Sequence, residues 1–160
     1  MHIQLLTARA EDLARPPPHL RRGIEDGFSS AAEGRVQVAA VLAALLAPPR
    51  PAAWGAYWAC RRSSASVVGL CGFKGSPSPQ GGTEIAYYTF PRLEGRGAAT
   101  AMAYALADQA HAQGARCLVA HTLPGLNASG RVLARAGFLC RGEAEDPEDG
   151  LVWRWTKRLG

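Results

Sequence analysis

A short glycine-containing turn near the middle of the chain has the composition of a phosphate-binding site. Gly95 and Gly97 flank Arg96 and are followed by two alanines at positions 98–99. Glycine allows a tight turn, and small side chains leave the N–H groups of the following helix uncovered. Those N–H groups have no partner within the helix and lie at the positive end of its dipole, so they bind phosphate or diphosphate. Arg96 and Arg92 would add charge-assisted hydrogen bonds.

The turn lies between a predicted strand and a predicted helix. Residues 85–90 are β-branched and aromatic, which favours a strand, and Pro91 ends it. Residues 97–113 are rich in helix formers. Five apolar residues of that segment fall on one helical face, namely Ala99, Met102, Ala103, Leu106 and Ala110. The strand and the helix would therefore hold the glycine turn between them.

Two common phosphate-binding motifs do not fit this turn. A P-loop requires Gly-Lys-Ser/Thr after its glycines, and that tripeptide is absent. A dinucleotide fingerprint requires a third glycine where Thr100 stands, and an acidic residue that closes a second strand. Asp108 lies within the predicted helix instead.

The segment resembles the fingerprint of the GNAT family of acyl-CoA N-acyltransferases, Gln/Arg-x-x-Gly-x-Gly/Ala, which follows a proline by a few residues. Both glycines match, and Glu94 stands where the family has Gln or Arg. Further segments resemble the family in the same order, at residues 67–73, 121–124, 127–129, 131–138 and 146–153. The resemblance spans residues 54–156 and is greatest to the RimJ/RimL-like branch.

The resemblance implies an α/β (α+β) fold, with a mixed central sheet of six to seven strands flanked by helices. It implies acetyl-CoA as acyl donor and a primary amine as acceptor, either a protein N-terminus or a small molecule, which attacks the thioester directly. The pantetheine arm and thioester would lie along the strand at Tyr87, Tyr88 and Thr89. The diphosphate would be held by the turn and helix start at Glu94, Gly95, Arg96, Gly97, Ala98, Ala99 and Thr100.

The resemblance also suggests catalytic residues. Glu84 begins the strand at the place where family members carry a carboxylate that deprotonates the amine through water. His121 is a second candidate base, or a packed strand histidine. Leu133 occupies the position of the usual acidic tyrosine, so Ser129 is the candidate acid, or else a helix-capping serine. Asn127 would bind pantetheine or cap the helix that follows it.

Composition predicts one domain over residues 1–160. No apolar run approaches the length of a membrane span, and the first residues do not form a signal peptide, so the cytoplasm is the expected location. The formal charge of +5 is dispersed, which argues against a nucleic-acid partner, and no membrane partner is expected. No group of residues has metal-ligand spacing. The four cysteines, predicted to be buried free thiols, are Cys60, Cys71, Cys117 and Cys140.

The remaining segments complete the predicted fold. Helices are expected over residues 19–28, 35–46 and 127–136, and the second is apolar nearly all round, which predicts burial on more than one side. Hairpins are expected over 54–74 and 138–156, and a further strand over 117–122. Strands and helices alternate after Glu84, so at least one strand pair should be parallel. A homodimer, if formed, would pair at the final hairpin. The alternative to an enzyme is a non-enzymatic acyl-CoA sensor.

Overall fold

The computed structural model covers residues 1–160 and contains one seven-stranded sheet in the order β1-β2-β3-β4-β5-β7-β6. The strands are β1 Ile3–Thr7, β2 Ala56–Arg61, β3 Ser66–Phe73, β4 Gly82–Thr89, β5 Cys117–Thr122, β6 Leu139–Asp146 and β7 Gly150–Arg158. The α-helices are α1 Pro18–Gly27, α2 Ala31–Leu46, α3 Ala98–Ala112 and α4 Ala128–Arg135. Single 3₁₀ turns occur at Ala10–Leu13, Ala52–Trp54 and Pro91–Leu93. The predicted mixed sheet flanked by helices is confirmed.

The sheet opens between its two parallel strands. β4 and β5 pair only over residues 82–84 and 117–119. β4 nevertheless stays paired with β3 as far as Thr89, and β5 stays paired with β7 as far as Thr122. The two strands therefore part after Glu84, and the edge of β4 that faces β5 has no strand beside it from there onward.

The helices lie on both faces of the sheet. A side chain at Gly69 of β3 would meet Met102 of α3, and Ser129 of α4 contacts Tyr87 of β4. Gly69 lies opposite Thr89, so α3 and α4 cover the face that carries Tyr87 and Thr89. Alternation places the side chain of Glu84 on the other face. A single cluster of 33 buried residues includes side chains from both layers.

Helix α2 differs from the prediction. It begins at Ala31, four residues early, because Ser30 caps it by accepting a hydrogen bond from the N–H of Glu33 at 3.2 Å. The helix is buried along one stripe only, at Gly34, Val38, Leu42 and Leu45. The prediction of burial on several sides was wrong because most of its other apolar residues are alanines, which cost little when exposed to water.

The cysteines are all free, but only Cys60 and Cys71 are buried. Cys117 is half-buried and Cys140 is exposed on the edge strand β6, so the expectation of four buried thiols was wrong for these two. None of the helices combines the length and the apolar character that crossing a bilayer requires.

Candidate active site

A cleft of about 480 Å³ lies beside the open edge of β4. It is bounded by the end of β4, by the glycine turn with the start of α3, and by α4. The lining residues are Tyr87, Tyr88, Thr89, Glu94, Gly95, Gly97, Ala98, Ala99, Thr100, Ala128, Ser129, Arg131, Val132 and Arg135. The structure thus brings together every residue that the sequence suggested for cofactor binding except Arg92, Arg96 and Asn127.

The open edge of β4 presents backbone groups to this cleft. Lys74 directly follows β3, and its N–H donates to the C=O of Glu84 at 2.8 Å. The backbone N–H and C=O of Glu84 therefore point towards β3. Successive residues of a strand alternate in this respect. Tyr87 and Thr89 therefore direct their N–H and C=O groups to the side where β5 has parted from β4. These groups are free to hydrogen-bond an extended ligand.

The glycine turn leaves the start of α3 uncapped. Gly97 is the N-cap residue, with φ of 88°, and no side chain caps the helix. Gly95 also has a positive φ, of 76°. A Cβ at either glycine would meet nothing within 4 Å, so the left-handed backbone and not crowding requires glycine here. The first N–H groups of α3 are consequently available to an anion.

Glu84 and His121 are in direct contact at the base of the gap. Oε1 of Glu84 lies 2.9 Å from Nδ1 of His121 and 3.2 Å from Nζ of Lys74. The carboxylate and the imidazole are 25% and 21% exposed, so solvent or a ligand reaches both. The sequence left the two as separate candidates, and the fold joins them. Lys74 was missed, although its place opposite Glu84 follows from the β3–β4 register.

Ser129 is held by Tyr87 within the cleft. The hydroxyl oxygens are 2.9 Å apart. Burial raises the pKa of Tyr87, and the hydrogen bond with Ser129 opposes that rise only in part. Leu133, in the position of the family's tyrosine, is fully buried in the core and does not line the cleft.

Asn127 and Arg96 lie outside the cleft. Asn127 caps α4, because its Oδ1 accepts from the N–H of Gly130 at 2.9 Å while its Nδ2 donates to the C=O of Leu123. The side chain of Arg96 lines a different depression on the other side of the turn. Arg131 and Arg135, one helical turn apart on α4, line the cleft instead. Their spacing of four residues was the available sequence signal that they share a face.

The mixed seven-stranded sheet flanked by helices is typical of one class of acyltransferases. The family model described as an acetyltransferase (GNAT) domain matches residues 20–139, three quarters of the chain. The chain therefore belongs to the GNAT acetyltransferase family. No curated protein sequence matches it significantly.

Solved structures share the fold at low sequence identity. The microcin C7 self-immunity acetyltransferase MccE, in complex with acetyl-CoA and AMP, has a TM-score of 0.70 and 14% identity over 99% of this chain and 93% of its own. RimL, the ribosomal L7/L12 alpha-N-protein acetyltransferase in complex with coenzyme A, has a TM-score of 0.65 and 16% identity over 99% and 95%. Aminoglycoside acetyltransferase AAC(6')-Ib, in complex with ribostamycin and coenzyme A, has a TM-score of 0.66 and 18% identity over 99% of this chain and 94% of its own.

Proposed function

We propose that this protein is an acetyl-CoA-dependent N-acetyltransferase that transfers an acetyl group to a primary amine by direct attack. One observation carries the proposal. The ligand cleft with Ser129 lies on one face of the gap between β4 and β5, and the pair of Glu84 and His121 lies at its base on the other face. A donor in the cleft and an amine on the opposite face would therefore meet within the gap.

We expect the donor to lie along this cleft. The uncapped N–H groups at the start of α3 would hold the diphosphate, and the free backbone groups of Tyr87 and Thr89 would hold the pantetheine arm. Arg131 and Arg135 add positive charge on the α4 side. Glu94 lines the same cleft and opposes an anion. MccE, RimL and AAC(6')-Ib all have acetyl-CoA or coenzyme A bound, which supports this choice of donor.

Glu84 is the proposed base. The attacking amine must be neutral, and a carboxylate accepts its proton directly or through water. His121 and Lys74 both contact Oε1, which leaves Oε2 without a protein partner. Oε2 is therefore the atom that would receive the proton, and His121 would orient the carboxylate.

Ser129 and Tyr87 would assist the leaving thiolate. The hydroxyl of Tyr87 is protonated near neutral pH, as a tyrosine ordinarily is, and burial raises its pKa further, so it can donate to Oγ of Ser129. The proton of Ser129 is then free to point at the sulfur. Tyr87 would thus act as a positioning residue, and the pair would supply the hydrogen bond that Leu133 cannot. The backbone N–H groups of the open β4 edge would polarise the thioester carbonyl.

The acceptor is proposed to be a protein N-terminus or a small-molecule amine, as in the RimJ/RimL-like branch. RimL and AAC(6')-Ib, which differ in acceptor, match this chain about equally well, so the experiment must include both kinds of amine. A homodimer at the final hairpin would pair the edge strand β6 with β6 of a second copy. In that pairing Glu143, Glu145 and Asp146 of the two copies would repel each other. All seven strands form one sheet, and we propose that residues 1–160 act as one domain.

The test is a thiol-release assay with acetyl-CoA against peptides with free N-termini, amino acids, polyamines and aminoglycosides, beside calorimetry with coenzyme A. We expect binding and turnover with at least one class of amine. Binding without turnover on any amine would instead support an acyl-CoA sensor. That second function is favoured by two departures from the family pattern, Glu94 in the turn and Leu133 in α4.

A further inference from the structure

A second depression, of about 310 Å³, lies behind the glycine turn. Arg61 at the end of β2, Ser64 in the turn that follows and Ser66 at the start of β3 contribute to it. Arg92 and Arg96 contribute from the turn between β4 and α3. The predicted role of Arg96 and Arg92 was to hold a diphosphate at the helix start, but their side chains line this depression and not the cleft.

The three arginines lack carboxylate partners. The ion pairs within 4 Å in this protein are the two that Glu84 makes with Lys74 and His121. Arg92 makes one long hydrogen bond, 3.5 Å, to a backbone carbonyl. Nε of Arg61 is buried and has no hydrogen-bond partner at all. A buried polar group without a partner is destabilising, so its presence points to a bound group that would satisfy it.

The charge of the depression is positive in spite of two carboxylates. Glu25 and Asp26 of α1 also line it, and neither approaches a guanidinium within 4 Å. A larger adjoining depression shares Arg61 and Arg96 and adds Arg62. Ser64 and Ser66, whose hydroxyl oxygens are 2.7 Å apart, supply further donors beside Arg61. Guanidinium groups that line one depression and form no ion pair offer their donors to the oxygens of a phosphate.

The depression is separate from the proposed chemistry but adjacent to the proposed cofactor. Arg96 lies between Gly95 and Gly97, which line the cleft, so the backbone of the turn faces one ligand site and its side chain faces the other. Glu84 lies five residues before Thr89, where β4 ends, a distance of about 17 Å at the usual rise of a strand, and Arg92 and Arg96 lie beyond that end. A small acceptor amine at Glu84 would not reach the arginines.

We propose that Arg61, Arg92 and Arg96 bind a phosphate monoester dianion. A dianion with three terminal oxygens offers the charge and the acceptors that three guanidinium groups require, which a single carboxylate does not. The phosphate has two possible sources. It is the 3′-phosphate of coenzyme A lying in the cleft, in which case the inference rests on the proposed function, or it belongs to a separate phosphorylated ligand.

The test compares the full-length protein with the double variant Arg92→Ala, Arg96→Ala, both of which are exposed positions that tolerate truncation. Arg158→Ala is the charge control, because Arg158 is exposed on β7 and lines neither depression. Calorimetry would measure the dissociation constants of coenzyme A, of 3′-dephospho-coenzyme A and of inorganic phosphate. If wild-type protein prefers coenzyme A over the dephospho form about tenfold, and the double variant does not, the 3′-phosphate is the ligand.

If the two coenzymes bind alike but inorganic phosphate binds wild-type protein and Arg158→Ala at least about tenfold more tightly than the double variant, a separate phosphorylated ligand occupies the depression. If neither the coenzyme preference nor phosphate affinity depends on Arg92 and Arg96, the proposal is overturned. Turnover of acetyl-CoA by wild-type protein tests the proposed function independently, since the phosphate measurement does not require it.

Discussion

The hydroxyl of Tyr87 lies 2.9 Å from Oγ of Ser129, although 42 residues separate them in the chain. Tyr87 comes from the open end of β4 and Ser129 from the first turn of α4, so the contact exists only because α4 packs beside the gap in the sheet. The two hydroxyls thereby place a hydrogen-bond donor in the cleft, which Leu133, buried in the core, does not line.

This contact predicts coupled effects on catalysis. Tyr87→Phe removes the hydroxyl that orients Ser129, and we expect kcat to fall about tenfold with little change in KM for acetyl-CoA. Ser129→Ala should lower kcat by at least as much. The double variant should be no slower than Ser129→Ala alone, because Tyr87 acts through Ser129. Steady-state kinetics of the four proteins measure this, and multiplicative losses would show that the two residues act independently.

Glu84→Gln is expected to lower kcat by about 10²-fold, since a neutral amide cannot accept the proton of the amine. Affinity for coenzyme A should be unchanged, because Glu84 lies outside the cleft. Glu11→Gln, an exposed carboxylate near β1, is the matched control. Thiol release and calorimetry measure the two quantities. A kcat within about twofold of wild type would remove Glu84 from the mechanism.

Gly97→Ala should weaken acetyl-CoA binding, because alanine resists the φ of 88° that uncovers the start of α3. We expect KM for acetyl-CoA to rise about fivefold and the free energy of unfolding to fall by about 1 kcal/mol. Gly114→Ala is a matched control, since Gly114 has a φ of 89° and equally open surroundings after α3. It should lose similar stability without a change in KM. A rise in KM in both variants would point to a general loss of structure.

Gly23→Ala should destabilise the fold strongly. A Cβ at Gly23 would lie 2.0 Å from the carbonyl oxygen of Val67, so α1 would have to move off β3. We expect a loss of about 2–3 kcal/mol in the free energy of unfolding, measured in urea. Gly75→Ala, where nothing lies within 4 Å, should change it by less than about 0.5 kcal/mol. Equal effects of the two substitutions would contradict the close approach of α1 to the sheet.

Stability should decline in alkali. Burial raises the pKa of both Cys71 and Tyr87 in the folded protein. Folding therefore favours their neutral forms. Below the pKa values that the two groups have in the unfolded chain, the free energy of unfolding does not depend on their ionisation, and it falls as the pH rises above those values. Urea denaturation between about pH 8 and pH 10.5 measures the slope, which approaches about 1.4 kcal/mol per pH unit for each group. Cys71→Ala should make the slope shallower, and an unchanged slope would show that the thiol does not contribute.

Local sequence was sufficient for the elements around the site. Residues 117–122 were predicted as a strand with the bounds that β5 has, and Asn127 was predicted as a possible cap of the helix it does cap. The glycine turn was also predictable, because a positive φ at Gly95 and Gly97 is a property of the backbone within a few residues. The face of α2 was not predictable in this way, because alanine does not reveal which side of a helix is covered.

The sequence alone determined the order of strands and helices, the glycine turn and the family, since each rests on residue types at short spacing. The tertiary structure decided which side chains meet. It joined Glu84 to His121 across 37 residues, turned Arg96 away from the cleft and brought Arg131 into it. These outcomes depend on where β4 and β5 part and on how α4 packs beside the opening. Such long-range geometry is set by the packing of the whole core, and no local pattern encodes it.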